Sequence, residues 1–469
     1  MAGRVGRRVN GNGNLSPVGR DTVLGSGWGD MVLNRYNPAG EAARGRHRQV
    51  LHMTDSDVRD AAGKLPVVNT HVHFPPNFSA FTTVADAVGV AAAEGARAVG
   101  ISNFFDQQVY ALFAEQAEAA GIVPLYGLEF ITLDEELAAA GIRVNDPANP
   151  GRMYLCGKGI SPFTRKSDAA SRIAAAIRSG NDERASAMVG RLADWFAGCG
   201  LDTGLTAAAI AQDVADAAQV PVAWVSLQER HVAMAFQRAL AALPREERAA
   251  VLDRAYGGPS GVDIDDPAAL QGELRSRLIK VGTPGFVPEV PLSFADAYRY
   301  VLEMDGIPTY PTLADGVQPV CPFEDPATRL AAQLLERGIH AAELIPIRNT
   351  SACVDAYVKA FTEAGLIVMG GTEHNTPDRI PIEVACADGP LSDAARQAFW
   401  EAACVVAAHQ HEVAQGRPGY VDPSGARTPV PTPVLVEIGS ELIRLVPSSR
   451  RTPGSPAAPV GMNHKGENR

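Results

Sequence analysis

Apolar runs of strand length alternate with helical stretches that close on glycine along most of this chain. LPVVNTHVHF (65–74) reads as a strand, ADAVGVAAAEG (85–95) as a helix ending at Gly95, and ARAVGIS (96–102) as a second strand. DQQVYALFAEQAEAAG (106–121) follows with an Asp start and a Gly stop, and IVPLYGLEF (122–130) is a third strand. The order returns in FADAYRYVLEMDG then IPTYP, PATRLAAQLLERG then HAAELIPI, and VDAYVKAFTEAG then LIVMGGTEH. This rhythm predicts an α/β fold with a parallel sheet. About six such strands, with one or more not placed, suggest a closed or nearly closed barrel.

Between about 131 and 290 the rhythm gives way to mostly helical sequence, such as DERASAMVGRLADWFAGCG, read as an insertion capping the barrel mouth. Residues 1–52 carry eight Arg against three acids among Gly and Asn and show no sustained apolar periodicity, so a disordered leader is expected there. The Pro-, Ser- and Arg-rich stretch 447–469 reads the same way, as a disordered tail. The folded part is expected over 53–446.

A formal charge of -11 argues against a nucleic-acid partner, which calls for a basic stripe to meet phosphates, and against an anionic membrane surface. The six cysteines show no C-x-x-C pair, which speaks against a zinc ribbon or disulfide scaffold and for reduced thiols in a cytoplasm. No apolar run approaches the roughly 18 residues that span a bilayer.

Chemistry-bearing residues gather where the strands end. In Thr70-His71-Val72-His73 the imidazoles are two apart on a strand and face the same side, and the C-terminal ends of barrel strands are where active sites lie. Glu129 sits at the same level on the third strand, and Glu373 and His374 follow the late run LIVMGG. Imidazole and carboxylate together suit Zn, Mn or Fe. Lys158 and Arg348 are candidates to bind an anionic small-molecule substrate. His409 and His411, two apart on a helix, do not share a face and read as structural, as do His231 and His340.

The succession H-V-H, then A-x-x-x-G-A-R-A-V-G-I-S, then G-L-E, then G-G-T-E-H resembles the PHP family, named for polymerase and histidinol phosphatase and allied to amidohydrolase-like metal enzymes. The likeness covers roughly 66–130 and 305–376. It implies a distorted (β/α)7-type barrel using divalent metal ions, with His71 and His73 as first-strand ligands and Glu129 a bridging or neighbouring carboxylate. The chain departs from the family pattern in three places. Ser102-Asn103-Phe104 stands for T-D-H, Tyr310-Pro311 for H-P, and Gly371-Thr372-Glu373-His374-Asn375 for G-S-D-x-H. One or two metal ions are therefore expected rather than three. Glu373 aligns with the family aspartate as ligand or base, and His374 falls one position early. Tyr310 is a phenolate ligand, a proton donor or a core residue, and Glu343 faces inward or supports the site from behind.

The resemblance implies a metal-dependent hydrolase of a small phosphoester. The departures keep two rivals open: a metal-dependent sugar or sugar-acid isomerase or lyase in which Tyr310 or a carboxylate moves a proton, and a non-catalytic barrel that binds without turnover.

Overall fold

Helix caps and β-branched runs set out the elements. The computed structural model describes residues 64–105, 107–161 and 167–446, so the expected leader over 1–52 and tail over 447–469 lie outside the described residues. β1 (Val67–Val72) is buried along nearly its whole length. α1 (Val84–Ala93) starts at Thr83, whose side chain accepts from the Asp86 amide. It leads into β2 (Ala96–Ile101), which β3 (Asn103–Phe104) prolongs. α2 (Tyr110–Ala120) stops at Gly121, whose φ of 72° suits a residue without Cβ. β4 (Val123–Leu125) follows and is prolonged by β5 (Gly127–Leu133). β1 with β2, β2 with β4, and β3 with β5 are all parallel pairs, as the rhythm predicts.

The next strand differs from that reading. β6 (Arg152–Lys158) runs antiparallel to β5, with Glu129 opposite Cys156. It lies inside the segment assigned to the helical insertion, and β5 itself extends past 131. Apart from one short turn of helix at Glu135–Ala139, the helical part runs from α3 (Asp168–Gly198) through α4 (Ala207–Ala218), α5 (Glu229–Ala241), α6 (Arg245–Tyr256) and α7 (Pro267–Leu274). These helices bury an apolar core of their own around Phe196, Phe236, Leu252 and Leu274. The Phe196 and Phe236 rings stack at 5.4 Å.

The βα rhythm then resumes. The short β7 (Leu292–Ser293) pairs with β5, and α8 (Phe294–Leu302) leads to β8 (Ile307–Thr312), antiparallel to β6. α9 (Ala327–Glu336), β9 (Ala341–Leu344), α10 (Ser351–Glu363) and β10 (Ile367–Gly370) add two parallel steps. α11 (Asp393–Ala414) packs on β10, β1 and β4, and α12 (Thr432–Leu445) lies against α11. The central core includes Val72, Phe74, Phe113, Leu128, Phe130 and Leu155.

The result is a mixed α/β fold with a parallel-rich sheet, in the orders β1-β2-β4 and β10-β9-β8-β6-β5-β3. The segment after β10 comes back to β1. The amides of Thr372 and Glu373 donate to the His71 carbonyl at 3.1 and 2.8 Å, and the His73 amide donates to the Glu373 carbonyl at 2.8 Å. Gly371 permits this approach, because a Cβ there would collide with the Cβ of His71. Among the described residues, no helix is long and apolar enough to cross a membrane.

Candidate metal centre

β1 delivers His71 and His73 to one face, as alternation along an extended strand requires. Both are buried, and their Nε2 atoms stand 3.4 Å apart. Glu129 on β5 completes a triangle, with one carboxylate oxygen 3.6 Å from His71 Nε2 and the other 3.6 Å from His73 Nε2. Donor atoms about 3.3–3.4 Å apart are what a tetrahedral ion with bonds of about 2.0–2.1 Å holds, so the three side chains fit a divalent transition metal.

The electrostatics agree with that fit. Burial first, then the neighbouring His71 and Lys158, lower the His73 pKa well below its ordinary value, which leaves a neutral imidazole. Its buried Nδ1 has no hydrogen-bond partner among the described residues. Burial and the nearby Glu373 push the Glu129 carboxyl up to about 8 against the pull of Lys158. A neutral His73 imidazole, the His71 imidazole beside it and a carboxylate reluctant to ionise alone form a donor set that a cation would satisfy.

Behind the triangle stands a buried network. Glu343 on β9 lies 2.6 Å from His71 Nδ1, accepts from the Thr70 hydroxyl at 2.7 Å, and pairs with Lys158 at 2.8 Å. Lys158 on β6 also donates to Ser102 Oγ at 2.6 Å and to the Thr70 carbonyl at 2.8 Å. Although burial works to raise it, Lys158 and His71 bring the Glu343 pKa down to about 2. With Glu343 ionised, His71 keeps its proton on Nδ1 and turns the Nε2 lone pair to the triangle. His71, Cys156 and Glu343 also lie within metal-binding reach of one another. The Lys158 ammonium already supplies the cation there, and burial holds the Cys156 thiol well above its ordinary pKa.

The other expected site residues divide. Glu373 and Arg348 pair with each other through two guanidinium–carboxylate hydrogen bonds, and Asn375 donates to Glu373 at 2.6 Å. His374 is turned away: Nδ1 meets Thr372 Oγ1 at 2.7 Å, Nε2 meets the Ile380 carbonyl at 2.9 Å, and the ring stacks on Phe81 at 5.0 Å. Glu373 and His374 both hold left-handed backbone, with φ of 63° and 53°. From this backbone His374 turns towards Ile380, while Glu373 turns to Arg348. The structure does not bring Tyr310 to the triangle either. It is fully buried, and its hydroxyl donates to Glu324 at 2.9 Å, so the core alternative describes it. Lys158, expected to bind substrate, is buried among its own partners.

Sequence reasoning gave Thr70 and Ser102 no role in holding the site and Glu343 no definite one. The altered T-D-H block is structural here. Ser102 receives Lys158, and the Asn103 side chain accepts from the Phe74 amide at 2.8 Å and donates to its carbonyl at 2.9 Å.

No family model matches the sequence, and no curated protein matches it. Two solved structures are similar in part. One is of a protein proposed to be a metal-dependent phosphoesterase, from Bifidobacterium adolescentis, at 15% identity and TM-score 0.48 over 71% of this chain and 96% of that one. The other is an amidohydrolase from Chromobacterium violaceum with bound sulfate and no metal, at 16% identity and TM-score 0.46 over 70% and 92%. Likenesses this distant carry no activity across.

Proposed function

We propose that this chain is a metal-dependent hydrolase of a small phosphoester, built on a distorted seven-stranded β/α barrel. The barrel reading is supported by the return of the segment after β10 to β1, and by side chains from β1, β6 and β9 meeting around Glu343. The observation that carries the functional reading is the His71–His73–Glu129 triangle with donor separations of 3.4–3.6 Å. Phosphoester chemistry is favoured by the sequence resemblance.

When bound there, a Zn, Mn or Fe ion would supply Lewis acidity and a water acidified towards neutrality. The protein's own residues do the rest. Glu343 fixes the His71 tautomer, and burial keeps His73 neutral. Glu373, held by Arg348, is the carboxylate proposed to take a proton from the attacking water, and Arg348 is proposed to meet the substrate anion. In the isomerase or lyase reading, Tyr310 or a carboxylate would move a proton, and of these only Tyr310 would set it apart from the hydrolase reading. Its bond to Glu324 in the core gives that reading no support.

The test is elemental analysis of purified protein together with a phosphoester panel. About one or two ions per chain are expected, together with hydrolysis of at least one small phosphoester. Both should be lost in the His71→Ala/His73→Ala double variant. Unchanged metal content in that variant refutes the site.

A further inference from the structure

Arg230 opens the helix α5 and leans over Phe78, which lies in the loop that follows β1. It is half-buried, with its guanidinium 5.9 Å from the Phe78 ring. Among the described residues its side chain makes no hydrogen bond and no ion pair. Its cationic neighbours are committed. Arg348 is held by Glu373, and Arg275 lies 3.5 Å from Glu229, which also binds Arg184 and Lys280. A cation taken partly out of water without a partner is unfavourable, and proteins keep such groups where something anionic arrives. Burial and then Arg275 lower the Arg230 pKa, and the more distant pull of Glu373 and Glu229 does not offset them.

The surroundings leave room for a ligand. Arg230 and Phe78 line a cavity of about 360 Å³ together with Arg275, Gln271 and Thr376. The cavity joins helices α5 and α7 to the loop just past Glu373 and His374. Its two acids do not neutralise Arg230. Asp266 accepts from the Ala268 and Ala269 amides at the start of α7, and Asp378 makes no ion pair with it among the described residues. The cavity borders the loops that follow His73 and Glu373 in the chain, through Phe78 and Thr376, and Arg230 lies within electrostatic reach of Glu373, Arg348 and His73.

We propose that Arg230 is a substrate-binding residue contributed by the helical segment, gripping an oxyanion of the substrate in this cavity while another part of the molecule faces His71, His73 and Glu129. The placement of that other part rests on the hydrolase reading above; the grip itself does not. Phosphate or carboxylate oxygens both match the guanidinium fork.

The experiment uses the full chain, metal-stripped and metal-loaded, with inorganic phosphate as probe and malonate in a parallel arm. Affinities are read by titration calorimetry and stability by thermal melts. Wild-type protein is expected to bind one of the two anions even when metal-stripped, and the tighter one names the oxyanion class. Arg230→Met should bind it on the order of 10- to 100-fold more weakly, and Arg230→Lys should fall between. In anion-free buffer Arg230→Met should melt at or above the wild-type temperature, because an uncompensated cation has been removed. Three outcomes overturn the proposal: wild-type protein binding neither anion, Arg230→Met keeping wild-type affinity, or Arg230→Met melting well below wild type without anion, which marks a structural arginine. Should the chain hold no metal while Arg230-dependent anion binding persists, the hydrolase reading falls and the grip stands.

Discussion

His71 Nδ1 lies 2.6 Å from a carboxylate oxygen of Glu343, and both side chains are buried. The contact joins residues 272 apart in sequence, on β1 and β9. It decides which nitrogen of His71 faces the triangle, and so makes Glu343 as much a part of the candidate metal centre as the donors themselves.

Glu343→Gln tests that dependence. The amide cannot hold the Nδ1 proton as a carboxylate does, so metal affinity is expected to fall about 10- to 100-fold. The same change strands the Lys158 ammonium and should cost about 3–5 kcal/mol, the penalty for breaking a buried pair. Adding Lys158→Met removes the stranded charge. The double variant should recover much of the stability in urea melts but not the metal affinity. Recovery of both would mean that Glu343 serves only to neutralise Lys158.

Gly371→Ala probes the return of the chain to β1. The new methyl would meet His71 Cβ, so the segment carrying Thr372 and Glu373 must move away from the His71 carbonyl. Overpacking of this kind costs about 1–3 kcal/mol, and this position should lie at the upper end. Because the displaced partner is a proposed ligand, metal content should fall together with the melting temperature. A variant that melts like wild type and holds metal normally would show that β1 and the segment after β10 do not depend on each other.

Much of this was legible in the sequence, and for local reasons. Gly95 and Gly121 end helices where a left-handed residue is needed, and the H-x-H spacing alone puts two imidazoles on one face of a strand. β6 escaped because Cys156, Gly157 and Lys158 interrupt its apolar pattern, and it was absorbed into the helical stretch that follows. The Glu343 contact escaped because no local pattern says which distant strands will enclose the same space. His374 was misread because alignment fixes the position of a residue but not the two left-handed backbone angles that turn it towards Ile380.

Glu324 supplies a pH-dependent contribution away from the centre. Burial raises its pKa from the ordinary 4.5 to about 7, against the hydrogen bonds it accepts from Leu313, Ala314 and Tyr310. The folded chain therefore keeps a proton that the unfolded chain releases between those values. This contribution is full below about 4.5 and is lost as pH rises through about 7. Urea melts of metal-stripped wild type and Glu324→Gln at pH 4.5, 6 and 8 read the effect as the difference between the two proteins. The wild type should lose stability relative to the variant as pH rises, and a difference that stays constant would refute the assignment.

Glu373 decides how the centre works. Its carboxylate is clasped by Arg348 on backbone held at φ of 63°, a conformation that costs a non-glycine residue energy and persists where the surrounding structure enforces it. If Arg348 meets the substrate anion, Glu373 is released beside Glu129 with its charge free to take a proton. Glu373→Gln keeps the shape and one acceptor for Arg348 but removes the base. Turnover on the best phosphoester should then fall on the order of 100-fold, with metal content unchanged. Arg348→Met should instead raise KM more than it lowers kcat, because it removes the proposed substrate contact and leaves the base in place. The two variants are separated by measuring kcat, KM and metal content on the same preparations. Loss of metal in Glu373→Gln would make the residue a ligand rather than a base. Unchanged turnover with only a lower melting temperature would confine it to anchoring Arg348.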